Sequence, residues 1–147
     1  NEGNRPDDNW QFNSDDETLL HFARMSSVHW KLKPYLMELI RENCEIGIPV
    51  MRHPLLHYEG DHNFYTMKYQ YMLGPDLMVV PVIEEGKRTQ EVYLPEDEWI
   101  DLWSGKEYGP GRYVVDAPLE TIPVFFKKNS NFAGLFRELA DIGGKDV

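Results

Sequence analysis

One cysteine is all that the chain carries, so no internal disulfide holds it together. Cys44 stands among Leu39, Ile40 and Ile46 and is expected to be a small buried hydrophobe. Its neighbours Asn43 and Glu45 supply no positive charge that would activate a thiol. Positive charge is scarce throughout: 15 Lys and Arg stand against 25 Asp and Glu, a formal net charge of −10. A phosphate backbone or an anionic bilayer would be repelled, which removes nucleic acid and membrane surfaces from the expected partners. Long apolar runs are lacking as well, and none reaches the ~20 residues that cross a bilayer. No secretory leader pattern opens the chain, so a cytoplasmic location is expected. The initiator Met is also missing. Asn1-Glu2-Gly3 begins in loop-like sequence, as a piece cut from a longer protein would.

What is present argues for a packed core. In 147 residues, 41% are apolar and 13% aromatic, a composition that disordered chains do not have. Residues 1–13 read as a loop pinned by Trp10 and Phe12. Ser14-Asp15-Asp16-Glu17 is a capping box, with Ser14 as the cap of a helix that starts behind it. Leu19, Phe22, Ala23, Met25, Val28 and Leu32 recur at helical spacing, Pro34 restarts the helix, and a second stripe runs to a stop at Gly47. Ile48-Pro49-Val50-Met51 predicts a fully buried strand, and 65–72 a short helix ended by Gly74-Pro75.

From there the pattern changes to short alternating segments punctuated by Gly and Pro: 77–82, 91–94, 99–103, 113–115 and 122–126. Such spacing predicts an antiparallel sandwich, with Pro81 and Pro123 at edges or bulges and a last helix over about 131–139. The fold class expected is therefore α/β followed by all-β. The boundary is placed near Gly74, and the first part holds a single core strand whose neighbours are missing.

Four phrases in this order resemble glycoside hydrolase family 31. They are Gly47-Ile48-Pro49-Val50-Met51-Arg52, with His53 inserted before Pro54; Gln70-Tyr71 through Val79-Val80-Pro81-Val82; Tyr93-Leu94-Pro95 with Trp99, Trp103, Ser104 and Gly105; and Ala117-Pro118-Leu119 with Ile122-Pro123-Val124-Phe125. Within that family, Glu2-Gly3-Asn4-Arg5-Pro6 through Trp10-Gln11-Phe12 resembles the opening phrase of the bacterial sulfoquinovosidases.

The resemblance implies that 1–74 is the C-terminal part of a (β/α)8 catalytic barrel, that 75–130 is the proximal β-sandwich domain, and that 131–147 is a terminal helix and tail. It implies a retaining exo-α-glycosidase acting on a small-molecule glycoside, which the opening phrase makes a sulfoquinovoside, with α-glucosidase and α-xylosidase as the alternatives inside the family. No cofactor is implied.

The chemistry of a retaining glycosidase needs two carboxyl groups about 5–5.5 Å apart. None of the acidic residues here falls in a phrase matching the family's two catalytic Asp positions, so no residue is assigned a catalytic role, and the piece by itself is expected to be inactive. Asn1 stands where the family places a histidine that binds the sugar, and Trp10 either borders the sugar site or packs its loop. These two are the candidate substrate-binding residues. His53, His57 and His62 with Glu59 and Asp61 do not have a common zinc spacing, and no metal is expected. Arg52 follows a buried strand and either lines the barrel mouth or, the preferred reading, forms a buried pair with a carboxylate. Trp99 and Trp103 are expected on one inner face as core. Were they exposed with Tyr108, residues 75–130 would instead be a non-catalytic sugar-binding module. Apolar faces left without their barrel neighbours are expected to cause self-association.

Overall fold

The computed structural model describes residues 11–119 and 121–143. Two helices come first, α1 at Asp16–Lys31 and α2 at Lys33–Ile46. The cap of α1 is Asp15, one residue later than expected, and its carboxylate accepts from Thr18 N at 2.6 Å. Ser14 is not free for that role, because its Oγ accepts from Gln11 N at 2.7 Å in the preceding turn. Pro34 sits in the first turn of α2, where its missing N–H costs nothing, and Gly47 closes the helix at φ 74°.

Eight strands follow: β1 (Met51–Arg52), β2 (Tyr71–Leu73), β3 (Leu77–Val79), β4 (Thr89–Leu94), β5 (Trp99–Asp101), β6 (Glu107–Tyr108), β7 (Gly111–Asp116) and β8 (Val124–Lys127). A last helix, α3, spans Ala133–Gly143. Six strands form one antiparallel sheet in the order β1-β2-β3-β8-β5-β6, and β4 pairs with β7 as a separate ribbon.

Strand alternation sends neighbouring residues to opposite faces of this sheet. Phe126, Leu77 and Ile100 share one face and pack on Tyr35 and Leu39 of α2 and on Phe136 and Leu139 of α3. Phe125, Met78, Met72 and Trp99 share the other and pack under Val92, Leu94 and Val115 of the ribbon. The result is three layers: helices, sheet and ribbon. Each fully buried Phe or Leu at these two seams stabilises the fold by about 1.5–3 kcal/mol.

Several expectations are corrected here. Ile48–Met51 is not a buried strand: only Met51 and Arg52 pair, with Leu73 and Met72, and Met51 is 60% exposed. A ladder needs a partner, and among the described residues only β2 offers one. Residues 65–72 are not a helix. A 3-10 turn covers His62–Tyr65, and Tyr71–Leu73 enters a hairpin with Leu77–Val79. Gly74 at φ 62° makes the turn of that hairpin rather than a helix end. The sheet consequently runs across Gly74.

Trp99 and Trp103 do not share a face, because β5 stops at Asp101. Trp99 is fully buried under the ribbon, whereas Trp103 packs on the helical side. Cys44 is exposed, since α2 buries the face carrying Tyr35 and Leu39 and turns Cys44 away. Pro81 and Pro123 are at neither an edge strand nor a bulge: they lie just outside the ends of the inner strands β3 and β8, shorter than expected, with Val80 N bonded to Pro123 O at 3.0 Å where the ladder ends.

α1 has no buried residue, and Leu19, Leu20, Phe22 and Trp30 are all exposed, as are Met37 and Ile40 of α2. None of the described helices is long and apolar enough to cross a membrane.

Candidate functional site

Asn1 and Trp10, the two candidate sugar-binding residues, lie outside the described residues. Two polar constructions within them bear on function. The first is centred on Arg52, whose guanidinium is fully buried at the junction of α2 and β1. Its Nε donates to Pro49 O at 2.6 Å, and one Nη group pairs with the Glu42 carboxylate. The other Nη lies 3.3 Å from His57 Nε2. Arginine can only donate, so that nitrogen accepts and the proton of a neutral His57 sits on Nδ1. Burial, followed by the charge of Arg52, holds His57 below the usual histidine range. Arg52 is thus the buried pair preferred from the sequence. A guanidinium without solvent access clasps a helix to a strand and cannot reach a sugar.

Beside it, Tyr35 Oη donates to Leu73 O at 2.8 Å and accepts from Asp76 N at 3.2 Å, tying α2 to the β2–β3 turn. Burial pushes the Tyr35 phenol well above its ordinary range and raises Asp76 as well. Behind the turn, Tyr58 Oη donates to Asp97 at 2.7 Å, and Lys127 pairs with the same carboxylate at 3.0 Å.

The second construction joins the 61–70 loop to β4. Tyr93 Oη donates to Asp61 Oδ2 at 2.6 Å, and Asn63 Nδ2 donates to both Tyr93 Oη and Asp61 Oδ1. Arg112 Nη2 donates to Asn63 Oδ1 at 2.9 Å, with its guanidinium 5.1 Å from the Tyr93 ring centre. The buried amide of Gln70 donates to Tyr93 O at 2.8 Å and accepts from Tyr93 N at 2.7 Å, standing in for a neighbouring strand. Alongside runs an open groove of about 470 Å³.

The histidine cluster disperses into local roles. His53 Nδ1 accepts from Leu55 N in a 3-10 turn, and Asp61 accepts from Asn63 N. Among the described residues no group of three or more His, Cys, Asp or Glu is placed to hold a metal ion. The aromatics that would have made a sugar-binding face are engaged elsewhere. Trp99 is core, Trp103 Nε1 donates to Ile122 O at 2.6 Å, and Tyr108 packs edge-on against Tyr113 and Phe125. Sequence reasoning missed Glu42 as the partner of Arg52, although its place on the Leu39 side of α2 was a usable signal. Gln70 stands in the second family phrase, but its pairing with Tyr93 has no local signal.

Comparison with known proteins identifies the frame that carries these constructions. A sulfoquinovosidase of Escherichia coli (strain K12) is 51% identical over 141 residues, which is 96% of this chain and 21% of that protein. A sulfoquinovosidase of Agrobacterium fabrum is 42% identical over 97% of this chain and 22% of its own length. The solved structure of a family 31 sulfoquinovosidase from E. rectale, in complex with an aza-sugar inhibitor, superposes with a TM-score of 0.93 at 43% identity. That match covers 98% of this chain and 22% of the other. The chain therefore spans about a fifth of the length of the curated relatives it matches. Residues 47–131 match the family model described as the glycosyl hydrolase family 31 C-terminal domain, and the chain belongs to glycosyl hydrolase family 31.

Proposed function

We propose that this chain is the C-terminal portion of a retaining exo-α-glycosidase that hydrolyses sulfoquinovosides. In this reading residues 1–74 complete the catalytic (β/α)8 barrel, with β1 and β2 reaching from it into the sheet of the proximal domain. Residues 75–130 form the body of that domain, and 131–147 close it with a helix. The catalytic carboxylates belong to the part of the protein ahead of Asn1, and Asn1 and Trp10 border the sugar.

The observation that carries this reading is the 51% identity to a sulfoquinovosidase, sustained along 96% of the chain rather than confined to the domain shared by the whole family. Leu19, Leu20, Phe22 and Trp30, exposed along α1 although the helix packs on α3, support the barrel assignment as a face that further barrel elements would cover. The fully buried Arg52 clasp fits a scaffold role for the described residues, which hold α2 against the sheet.

The test is to assay the whole protein on nitrophenyl α-sulfoquinovoside, α-glucoside and α-xyloside. Preference for the first by kcat/KM is the expected result, and preference for either of the others would reassign the substrate. The purified 147-residue chain should turn over none of them; detectable hydrolysis would place catalytic groups within it and defeat the proposal.

A further inference from the structure

A sheet edge is a row of unpaired N–H and C=O groups, and most edges of this chain are short or occupied. The large sheet ends at β1 and β6, strands of two residues each. In the ribbon, the outer edge of β4 is taken at Tyr93, whose N–H and C=O both bond the Gln70 amide. The outer edge of β7 is different. Gly111–Asp116 pairs with β4 at all six positions and with no other strand among the described residues.

The ladder decides which of its groups are free. Residues opposite each other in an antiparallel pair either bond each other or both turn away. Tyr93 turns to Gln70, so Arg112, opposite it, turns away from β4. Val114 and Asp116 share that parity, while Ala117, of the other parity, gives its N–H to Arg88 O at 2.8 Å. The N–H and C=O groups of Arg112, Val114 and Asp116 therefore line the outer edge, without a backbone partner among the described residues. Their side chains share the outer face: all three are exposed, Val114 at 69%, whereas Tyr113 and Val115 pack toward the core. The strand has no Pro, Lys or bulge, features that guard an edge.

These three residues are complementary to a second copy of themselves. Laid antiparallel about a two-fold axis at Val114, two β7 strands set Val114 against Val114 and each Arg112 against the Asp116 of the other copy. Opposite charges across a strand pair favour that register. Arg112 gives one N–H to Asn63 Oδ1 and keeps others for a second acceptor. A parallel arrangement would instead place Arg112 beside Arg112 and Asp116 beside Asp116.

We propose that the outer edge of β7 is a self-association seam, at which two copies of the protein join their ribbons into one four-stranded sheet about a two-fold axis at Val114. The ribbon and the helices lie on opposite faces of the six-stranded sheet, so this seam is distinct from the exposed apolar residues of α1 and α2. It does not depend on which glycoside the whole enzyme cleaves. Three outward residues a side bury less than the ~1,200–2,000 Å² of a standard interface, so the dimer is a transient one that forms at roughly 10–100 µM.

Sedimentation velocity of the whole protein from about 1 to 300 µM tests it, with far-UV circular dichroism as the check on folding. A reversible dimer is expected. Val114→Lys and Val114→Glu each set like charges face to face across the axis and should each weaken the dimer about tenfold or more. An equal mixture of the two variants should restore it, because Lys then faces Glu. Val114 is exposed and its backbone N–H takes no part in the ladder with β4, so both variants keep the fold. A monomer throughout the range, a dimer that survives Val114→Lys, or a mixture that stays monomeric would overturn the assignment.

Discussion

Replacing Gly74 with alanine probes the turn on which the helices and the sheet meet. Gly74 stands at φ 62°, a conformation that costs an L-residue roughly 1–2 kcal/mol. A Cβ there would also collide with Tyr35 Oη and with both methyls of Leu39, the farther at 2.8 Å. Neither neighbour can give way cheaply. Leu39 is 2% exposed in the helix–sheet core, and Tyr35 is held by Leu73 O and Asp76 N. Overpacking of this kind costs about 1–3 kcal/mol, and each hydrogen bond that Tyr35 loses about 0.5–1.5 kcal/mol more. The expected total is roughly 3–5 kcal/mol, read as a shift in the urea midpoint at constant slope. Gly86→Ala is the control. Gly86 has φ 74° but open space within 4 Å of where a Cβ would stand, so only the backbone cost of ~1–2 kcal/mol should appear. Adding Tyr35→Phe to Gly74→Ala should recover part of the loss, because the phenolic oxygen is one of the colliding atoms. Equal costs for Gly74→Ala and Gly86→Ala would refute the steric argument and leave only the backbone conformation.

The Arg52–Glu42 pair should respond asymmetrically. Glu42→Gln strands a fully buried guanidinium and should cost about 3–5 kcal/mol, whereas Arg52→Met leaves a carboxylate that is one-third exposed and can rehydrate, so chemical denaturation should show a smaller loss. His57 makes stability depend on pH: its folded pKa lies below the ordinary ~6.5, so its contribution is fully present above that value and is lost as pH falls below it. His57→Gln should flatten the stability profile just below pH ~6.5, and an unchanged slope would remove His57 as its source; Asp76, raised by burial, acts with the opposite sign above the ordinary aspartate range. The exposed Leu19, Phe22, Trp30 and Met37 predict concentration-dependent self-association in sedimentation velocity, weakened by Phe22→Glu with Met37→Glu. A monomer at all concentrations would contradict this.

The sequence was most legible where chain-local chemistry decides structure. Pro34 and Gly47 bounded α2 because their effects need no distant partner. It was least legible where a partner decides. Ile48–Met51 looks like core, yet a strand is made by pairing with a neighbour, and among the described residues only β2 pairs with it, at Met51. Gly74-Pro75 marks a chain reversal in either a helix or a hairpin; the pairing of 71–73 with 77–79 selects the hairpin. Trp103 could not be placed by alternation because nothing local announced that β5 stops at Asp101. The acceptor Oε1 of Gln90 was invisible for a different reason: whether a polar atom is satisfied is a property of the packed molecule.

The place of β8 in the sheet has a consequence for how the chain is made. It is the last strand in sequence, yet it lies between β3 and β5 and is hydrogen-bonded to both. Until Val124–Lys127 leaves the ribosome, β1-β2-β3 and β5-β6 are two separate hairpin groups without a common core, and Trp99 and Leu77 have no Phe125 or Phe126 layer to close on. Folding of this sheet is therefore withheld until residue 127 has emerged. A chain ending before residue 124 would lose the seam of its sheet, not merely its edge.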